Sequence, residues 1–124
     1  MLPALPGVGF IRNVAGGGCL AKDSPDRLRP CNSNLPRRLW RFEDNLIKSQ
    51  DSQCLSADNV TNQVTIKLCA NSSGWAFDSD KNTFRLLGTN KCLFGKENGA
   101  DGDGVDVRDC SAPGPRFQWS LVKP

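Results

Sequence analysis

The sequence contains no histidine and no tyrosine among its 124 residues, and it has a single methionine. Histidine is the most common general base, the usual partner of a nucleophilic serine or cysteine, and a frequent metal ligand. Its absence excludes most hydrolytic triads, so we expect no enzyme activity, no catalytic residues, no metal centre and no cofactor. Aromatic contacts to a ligand can come only from three tryptophans and six phenylalanines.

Long apolar runs and a strong excess of one charge are also missing. The chain has no stretch of the roughly eighteen or more apolar residues that would span a bilayer, so we expect no membrane insertion. The formal net charge is +3 and the basic residues are scattered. A nucleic-acid interface usually clusters basic residues with aromatic side chains. We therefore expect no nucleic-acid partner.

The opening residues MLPALPGVGF are too short and too rich in proline for a secretory signal. We expect the native N-terminus to lie elsewhere, as it would in a domain excised from a parent protein. A chain of this length is typical of one domain. Residues 1–124 are therefore predicted to form a single domain.

Three copies of one short unit fill most of the chain. Residues 19–42, 54–77 and 92–121 each begin with Cys-Leu, continue to a second cysteine and reach a tryptophan near their end. This alignment uses all six cysteines and all three tryptophans. We place the copies at about 8–44, 45–81 and 82–124, and call them copies one, two and three.

Short apolar segments between clusters of Gly, Pro, Asn, Asp and Ser predict β-strands joined by turns, and no stretch sustains a helical period. About four such segments occur in each copy, which gives roughly twelve strands. Strands spaced in this way are typical of many-stranded barrels and sandwiches. The sequence therefore predicts an all-β protein.

Six cysteines allow about fifteen pairings, but only one of these repeats in every copy. We predict three bonds within the copies: Cys19–Cys31, Cys54–Cys69 and Cys92–Cys110. Such cysteine usage indicates an oxidising compartment, so we expect the protein to be secreted or extracellular. The competing interpretation, a cysteine metal site, is disfavoured because no Cys-x-x-Cys grouping is present.

The threefold Cys-Leu, Cys and Trp framework resembles the R-type, ricin-B-like lectin domains, over about residues 10–122. The resemblance implies a β-trefoil, a tryptophan of each copy packed in the core, and up to three shallow sugar sites on the outside. Two departures from the family pattern stand out. The glutamine of its Gln-x-Trp motif is replaced by Arg38, Ser73 and Phe117, and the sugar-binding aspartate after Cys-Leu by Ala21, Ser56 and Phe94.

Substitute sugar ligands are available in copies one and two. Asp23 and Asp58 lie two residues beyond the lost aspartate, and a shift of two keeps a side chain on the same face of a strand. Asn59, Gln63 and Asn71 add polar groups to copy two. Both aspartates also fit turn-forming positions. Asn59 and Asn71 begin N-glycosylation patterns, and a glycan at Asn59 would argue against sugar binding there.

Copy three offers Phe94, Asp106 and Arg108 as ligand contacts. Phe94 takes the place of the lost aspartate on the expected outer face, where it could stack on a sugar. Asp106 and Arg108 could instead form an ion pair or a solvated strand face. The aspartates of residues 101–109 resemble a calcium loop, but the bidentate glutamate of such loops is missing.

Two functions remain open. The first is a carbohydrate-binding, lectin-like domain, either a free lectin or the targeting module of a larger toxin or enzyme, with glycans or glycoproteins as partners. The second is a trefoil that has lost sugar binding and acts as a protein-contact or receptor-binding subunit, with other subunits or domains of a parent protein as partners. The loss of aspartate after all three Cys-Leu pairs is the evidence for the second.

Overall fold

The computed structural model describes residues 8–32, 35–111 and 114–123. The expectation about the opening of the chain concerns residues 1–7, which lie outside this set. The described residues form ten strands and three 3-10 turns, the turns being Pro36–Arg38, Cys69–Asn71 and Pro115–Phe117. The strands are β1 (Phe10–Asn13), β2 (Arg41–Glu43), β3 (Leu46–Lys48), β4 (Gln53–Ala57), β5 (Val64–Leu68), β6 (Trp75–Asp78), β7 (Thr83–Leu86), β8 (Lys91–Gly95), β9 (Val105–Asp109) and β10 (Trp119–Val122).

All strand pairs are antiparallel, in sheets ordered β1-β10, β2-β3-β4-β5 and β6-β7-β8-β9. The last strand of each copy pairs with the first strand of another, so β10 returns to β1. The β2–β3 hairpin turns through two residues with left-handed backbones, Asp44 and Asn45 (φ 56° and 60°). Asp and Asn tolerate this conformation and favour such tight turns. The sheets therefore link the three copies into one closed β-trefoil.

Copy one contains fewer regular strands than the sequence predicts. Its segments around Cys19 and Arg29 form isolated bridges, Arg12 with Cys19 and Cys19 with Arg29. Pro25 and Pro30 flank the second segment, and proline has no backbone N–H to donate to a ladder. The roughly twelve predicted strands thus become ten strands and two bridged segments.

The three tryptophans lie in the core, as predicted, with 0%, 0% and 1% of their surface exposed. Each indole N–H donates to the carbonyl oxygen of the leucine in its own Cys-Leu pair. The distances are 3.0 Å from Trp40 to Leu20, 2.9 Å from Trp75 to Leu55 and 3.2 Å from Trp119 to Leu93. A buried indole needs such a partner. The same hydrogen bond therefore holds the tryptophan against the Cys-Leu pair in every copy.

The three predicted disulfide pairings are confirmed. The Cα atoms of Cys19–Cys31, Cys54–Cys69 and Cys92–Cys110 lie 5.3, 4.9 and 5.0 Å apart. In each bond the cysteine of the Cys-Leu pair is buried and its partner lies nearer the surface. Among the described residues, no helix is long and apolar enough to cross a membrane.

Candidate functional site

The position that follows Cys-Leu is buried in every copy. Ala21, Ser56 and Phe94 expose 1%, 2% and 4% of their surface. In copies two and three this residue touches the residue two places before the tryptophan. Ser56 and Ser73 hydrogen-bond between their Oγ atoms at 2.7 Å, and the Phe94 and Phe117 rings lie 4.6 Å apart. The position after Cys-Leu therefore faces the interior in every copy. In copies two and three its side chain also contacts the second position that departs from the family pattern.

The predicted exposure of Phe94 is wrong. Phe117 packs against its ring, and the guanidinium carbons of Arg108 and Arg116 lie 4.5 and 4.9 Å from the ring centroid. Cation–π attraction favours these guanidiniums over the ring. The ring that was expected to stack on a sugar is thus covered by two arginines, and these arginines face the solvent instead.

Asp23 binds arginines of its own copy. Its Oδ2 lies 3.1 Å from Nε of Arg37 and 3.4 Å from Nη2 of Arg38, whose side chain is almost fully buried. A buried guanidinium requires a counter-charge, and Asp23 supplies it. Next to this pair lies a cleft of about 310 Å³, lined by Lys22, Asp23, Pro36, Arg37, Gln50 and Asp51.

Asp58 forms a turn, which is the alternative that the sequence left open. It lies one residue beyond the end of β4, so the alternation of strand faces does not place it beside Ser56. Its Oδ1 accepts hydrogen bonds from the backbone N–H groups of Val60 and Thr61, at 2.7 and 3.1 Å. These bonds hold the pKa of the Asp58 carboxyl below its ordinary value.

The other polar residues predicted in copy two, Asn59, Gln63 and Asn71, are exposed. The carbonyl oxygen of Asn59 accepts a hydrogen bond from Lys91, and Gln63 forms an isolated bridge with Asp106 of copy three. Asn71 ends a 3-10 turn. None of these residues, nor Asp58, lines any of the three cavities described here.

Three predicted residues of copy three do come together. Phe94 on β8 lies opposite Asp106 on β9, and Nε of Arg108 lies 3.3 Å from both carboxylate oxygens of Asp106. Arg108 in turn covers Phe94. Burial raises the pKa of Asp106 above its ordinary value, and the positive charges of Arg108 and Lys96 oppose that rise. The ion pair that the sequence left open is thus part of the cluster.

A cavity of about 600 Å³ opens beside this cluster, between the β8–β9 hairpin and the turn Pro115–Phe117. Its lining consists of Phe94, Arg108, Asp109, Gly114, Pro115, Arg116 and Phe117. A second cleft of about 320 Å³ lies near the Cys92–Cys110 bond, with Asp78, Lys81 and Arg85 among its lining residues. The cavity beside Phe94, which we call the copy-three cavity, is the largest of the three.

The prediction of site residues did not include Arg116, which covers Phe94 from the turn before the last tryptophan. Its Nη1 donates to the carbonyl oxygen of Glu97 at 2.7 Å. A signal was present in the sequence, because copies one and three share a Pro-Arg pair, Pro36-Arg37 and Pro115-Arg116, before the tryptophan. In both, proline begins a 3-10 turn.

The aspartate-rich loop of copy three is held by protein contacts. The Oδ2 atom of Asp103 accepts the backbone N–H groups of Asn98 and Ala100, at 3.0 and 3.1 Å. Across residues 8–32, 35–111 and 114–123, no three acidic, cysteine or histidine side chains are grouped so that they could hold a metal ion.

Comparison with known proteins shows which family the chain belongs to. A family model described as the ricin-type β-trefoil lectin domain matches residues 7–119. No curated protein sequence matches the chain. GalNAc-T7, solved with UDP, GalNAc and Mn²⁺, is similar at 20% identity and a TM-score of 0.75, over 95% of this chain and 22% of that one.

Two further structures are similar in fold. One is a non-toxic homologue of type II ribosome-inactivating proteins from Momordica charantia, solved with α-methyl-D-galactoside (21% identity, TM-score 0.76, 94% of this chain and 48% of that one). The other is the ricin B-like lectin of Macrolepiota procera with lactose (15% identity, TM-score 0.74, all of both chains). This chain therefore spans about a fifth and about half of the first two proteins. The chain belongs to the ricin-type β-trefoil lectin domains, a family of carbohydrate-binding modules.

Proposed function

We propose that this domain binds its carbohydrate ligand in the copy-three cavity. The observation that carries the proposal is the convergence of Arg108, Arg116 and Asp109 on a cavity of about 600 Å³. Ligand cavities are typically of roughly 300–1,000 Å³, with apolar walls and a few convergent polar groups. Pro115 and Phe117 supply apolar wall here.

The mechanism follows from the groups that face the cavity. A guanidinium donates several hydrogen bonds in a fixed plane, and bonds from a charged donor are stronger than neutral ones. Arg108 and Arg116 would donate to sugar oxygens, while the stacked Phe94 and the Asp106 carboxylate hold Arg108 in place. A single shallow site of this kind binds weakly, so useful avidity would come from several sites or several copies.

For the whole protein we propose a binding role without catalysis, as a secreted or extracellular lectin or as the targeting module of a larger toxin or enzyme. Three disulfides in one domain support an oxidising compartment. This chain covers only 22% of GalNAc-T7 and 48% of the Momordica charantia protein, which supports the proposal that it is attached to further domains.

A glycan array tests the proposal. We expect the wild-type chain to bind at least one glycan, and Arg108→Ala to abolish that binding. Lys67→Ala is the matched control, because Lys67 also lies two residues before the second cysteine of its copy and is exposed. Asp23→Ala and Asp58→Ala test the alternative sites of copies one and two.

The outcomes separate site from function. Absence of binding to every glycan at high protein concentration would refute carbohydrate binding itself. Loss of binding in Asp23→Ala or Asp58→Ala, with Arg108→Ala unaffected, would instead move the site to another copy.

A second function, contact with another protein, is favoured by the buried, non-carboxylate residues after all three Cys-Leu pairs and by exposed apolar side chains. Val60 and Leu68 of copy two are 88% and 58% exposed. Apolar surface of this kind is common on protein-contact faces. A glycan array without binding, together with capture of a protein that Val60→Ser and Leu68→Ser weaken, would favour this function.

A further inference from the structure

We infer that the copy-three cavity selects an acidic saccharide, one that carries a carboxylate or a sulfate group. The inference rests on the proposed function and names the class of ligand for that site. Its basis is the charge arrangement around Phe94. Arg108 and Arg116 both contact this ring, and within the described residues no carboxylate forms an ion pair with Arg116.

Two arginines that line the cavity contact the same aromatic ring. The guanidinium carbons of Arg108 and Arg116 are 4.5 and 4.9 Å from the same ring centroid. Both side chains are exposed and both line the cavity. The two guanidinium carbons are therefore no more than about 9.4 Å apart. This is within the roughly 10 Å Debye length at 0.1 M salt, so both charges attract an anion bound in the cavity.

The carboxylates near the cavity bind partners other than Arg116. Asp106 is bound by Arg108, at 3.3 Å from each oxygen. Asp109 accepts hydrogen bonds from the backbone and hydroxyl of Ser111 and from the amide of Asn90. Within the described part of the chain, Arg116 forms no ion pair; its protein acceptor is the backbone oxygen of Glu97. Most of its five N–H groups therefore remain available to a ligand.

Copy one shows the same arrangement with an internal anion in place. Arg37, which follows proline as Arg116 does, is paired at 3.1 Å with Asp23, which it shares with Arg38. Asp23 lies four residues after the cysteine of its Cys-Leu pair, and the corresponding position of copy three is Lys96. Copy three thus carries a positive charge where copy one carries the counter-ion of its arginine. A bound anion would give Arg116 the ion pair that Asp23 gives Arg37.

Matched pairs of sugars test the inference by isothermal titration at low ionic strength. Galactose 6-sulfate is compared with galactose, and 6′-sialyllactose with lactose, so that each pair differs by one acidic group. Hydrogen bonds to a charged acceptor are stronger than those to a neutral one, so we expect the acidic member of at least one pair to bind about tenfold or more tightly. The stronger pair identifies sulfate or carboxylate as the preferred group.

Arg116→Gln removes the charge and keeps a donor for the Glu97 carbonyl, and we expect it to reduce the acidic member to the affinity of the neutral one. Arg116→Lys keeps the charge and should retain most of the preference. Arg37→Gln removes the same charge at the corresponding position of copy one and should leave the preference unchanged. Near-ultraviolet circular dichroism verifies that each variant is folded.

Three results would overturn the inference. Equal affinity for both members of each pair would show that the cavity does not select acidic groups, while binding of the neutral sugars would leave the proposed function intact. An equal loss in Arg37→Gln and Arg116→Gln would show that net charge, and not this cavity, attracts the anion. Absence of binding to all four sugars would overturn the inference, and the glycan array would show separately whether carbohydrate binding fails with it.

Discussion

At the scale of single residues, the tryptophans connect the sequence repeat to the fold. Each buried indole occupies the core and donates to the leucine carbonyl of its own Cys-Leu pair. The Cys-Leu pair and the tryptophan therefore recur together in the sequence because the same hydrogen bond joins them in every copy. A phenylalanine at the same place would fill most of the volume but would leave that carbonyl without its donor.

Trp40→Phe is expected to destabilise the fold by about 2–3 kcal/mol, because it leaves the buried Leu20 carbonyl unsatisfied and removes part of a buried ring. Urea unfolding followed by circular dichroism measures this difference in the free energy of unfolding. Trp75→Phe should behave in the same way, since its indole makes the same bond. A loss below about 0.5 kcal/mol in both variants would contradict the role assigned to the indole hydrogen bond.

At the scale of elements, the β8–β9 hairpin and the turn Pro115–Phe117 build the copy-three cavity. Across the hairpin, Phe94 lies opposite Asp106, and Arg108 lies on the same face of β9 as Asp106. The groups around the Asp106 carboxylate are Arg108 on its own strand, Phe94 on β8 and the positive charge of Lys96. Asp106 therefore competes with any anionic ligand for Arg108.

This competition predicts a pH dependence of ligand binding. Burial raises the pKa of Asp106 above its ordinary value of 3.8. As the pH falls from 7 through that raised pKa, Asp106 becomes neutral and releases Arg108, so a sulfate-bearing sugar should bind more tightly below this pKa than at pH 7. Asp106→Asn should bind the same sugar more tightly at pH 7 and lose the pH dependence. Titrations of both proteins with galactose 6-sulfate give the comparison, and identical pH profiles would contradict the competition.

The strands and turns also show which features of the fold and of the candidate site could be predicted from the sequence. The repeat predicts the disulfides and the buried tryptophans, because the same order of Cys-Leu, Cys and Trp occurs in all three copies. The covering of Phe94 could not be read locally, since Arg116 arrives from a turn twenty-two residues later in the chain. Asp58 was placed on the face of Ser56 by strand alternation, but β4 ends at Ala57, and the boundaries of strands are poorly specified by sequence.

At the scale of the whole molecule, three disulfides of similar loop length support one closed trefoil. They span sequence separations of 12, 15 and 18 residues. In the chain-entropy model such loops contribute about 3 kcal/mol each, and the lengths alone make the contributions differ by only about 0.4 kcal/mol. Loop length therefore does not predict which of the three disulfides stabilises the fold most.

Replacing both cysteines of one bond by alanine, one pair at a time, is expected to lower the free energy of unfolding by about 3 kcal/mol in each of the three variants. Guanidinium unfolding under non-reducing conditions measures the three values, and the wild-type chain serves as reference. Peptide mass mapping of the wild-type chain should return only the three bonds within the copies. A bond between copies would contradict the fold described here.

The pairing of β1 with β10 sets Phe10 directly beside Val122. The polypeptide thus enters and leaves the domain at nearly the same point of its surface. Neighbouring domains fused to either terminus would therefore share one attachment point. The same arrangement would tolerate insertion into a loop of another protein, or joining of the two ends with new termini opened elsewhere, with little strain on the β-trefoil.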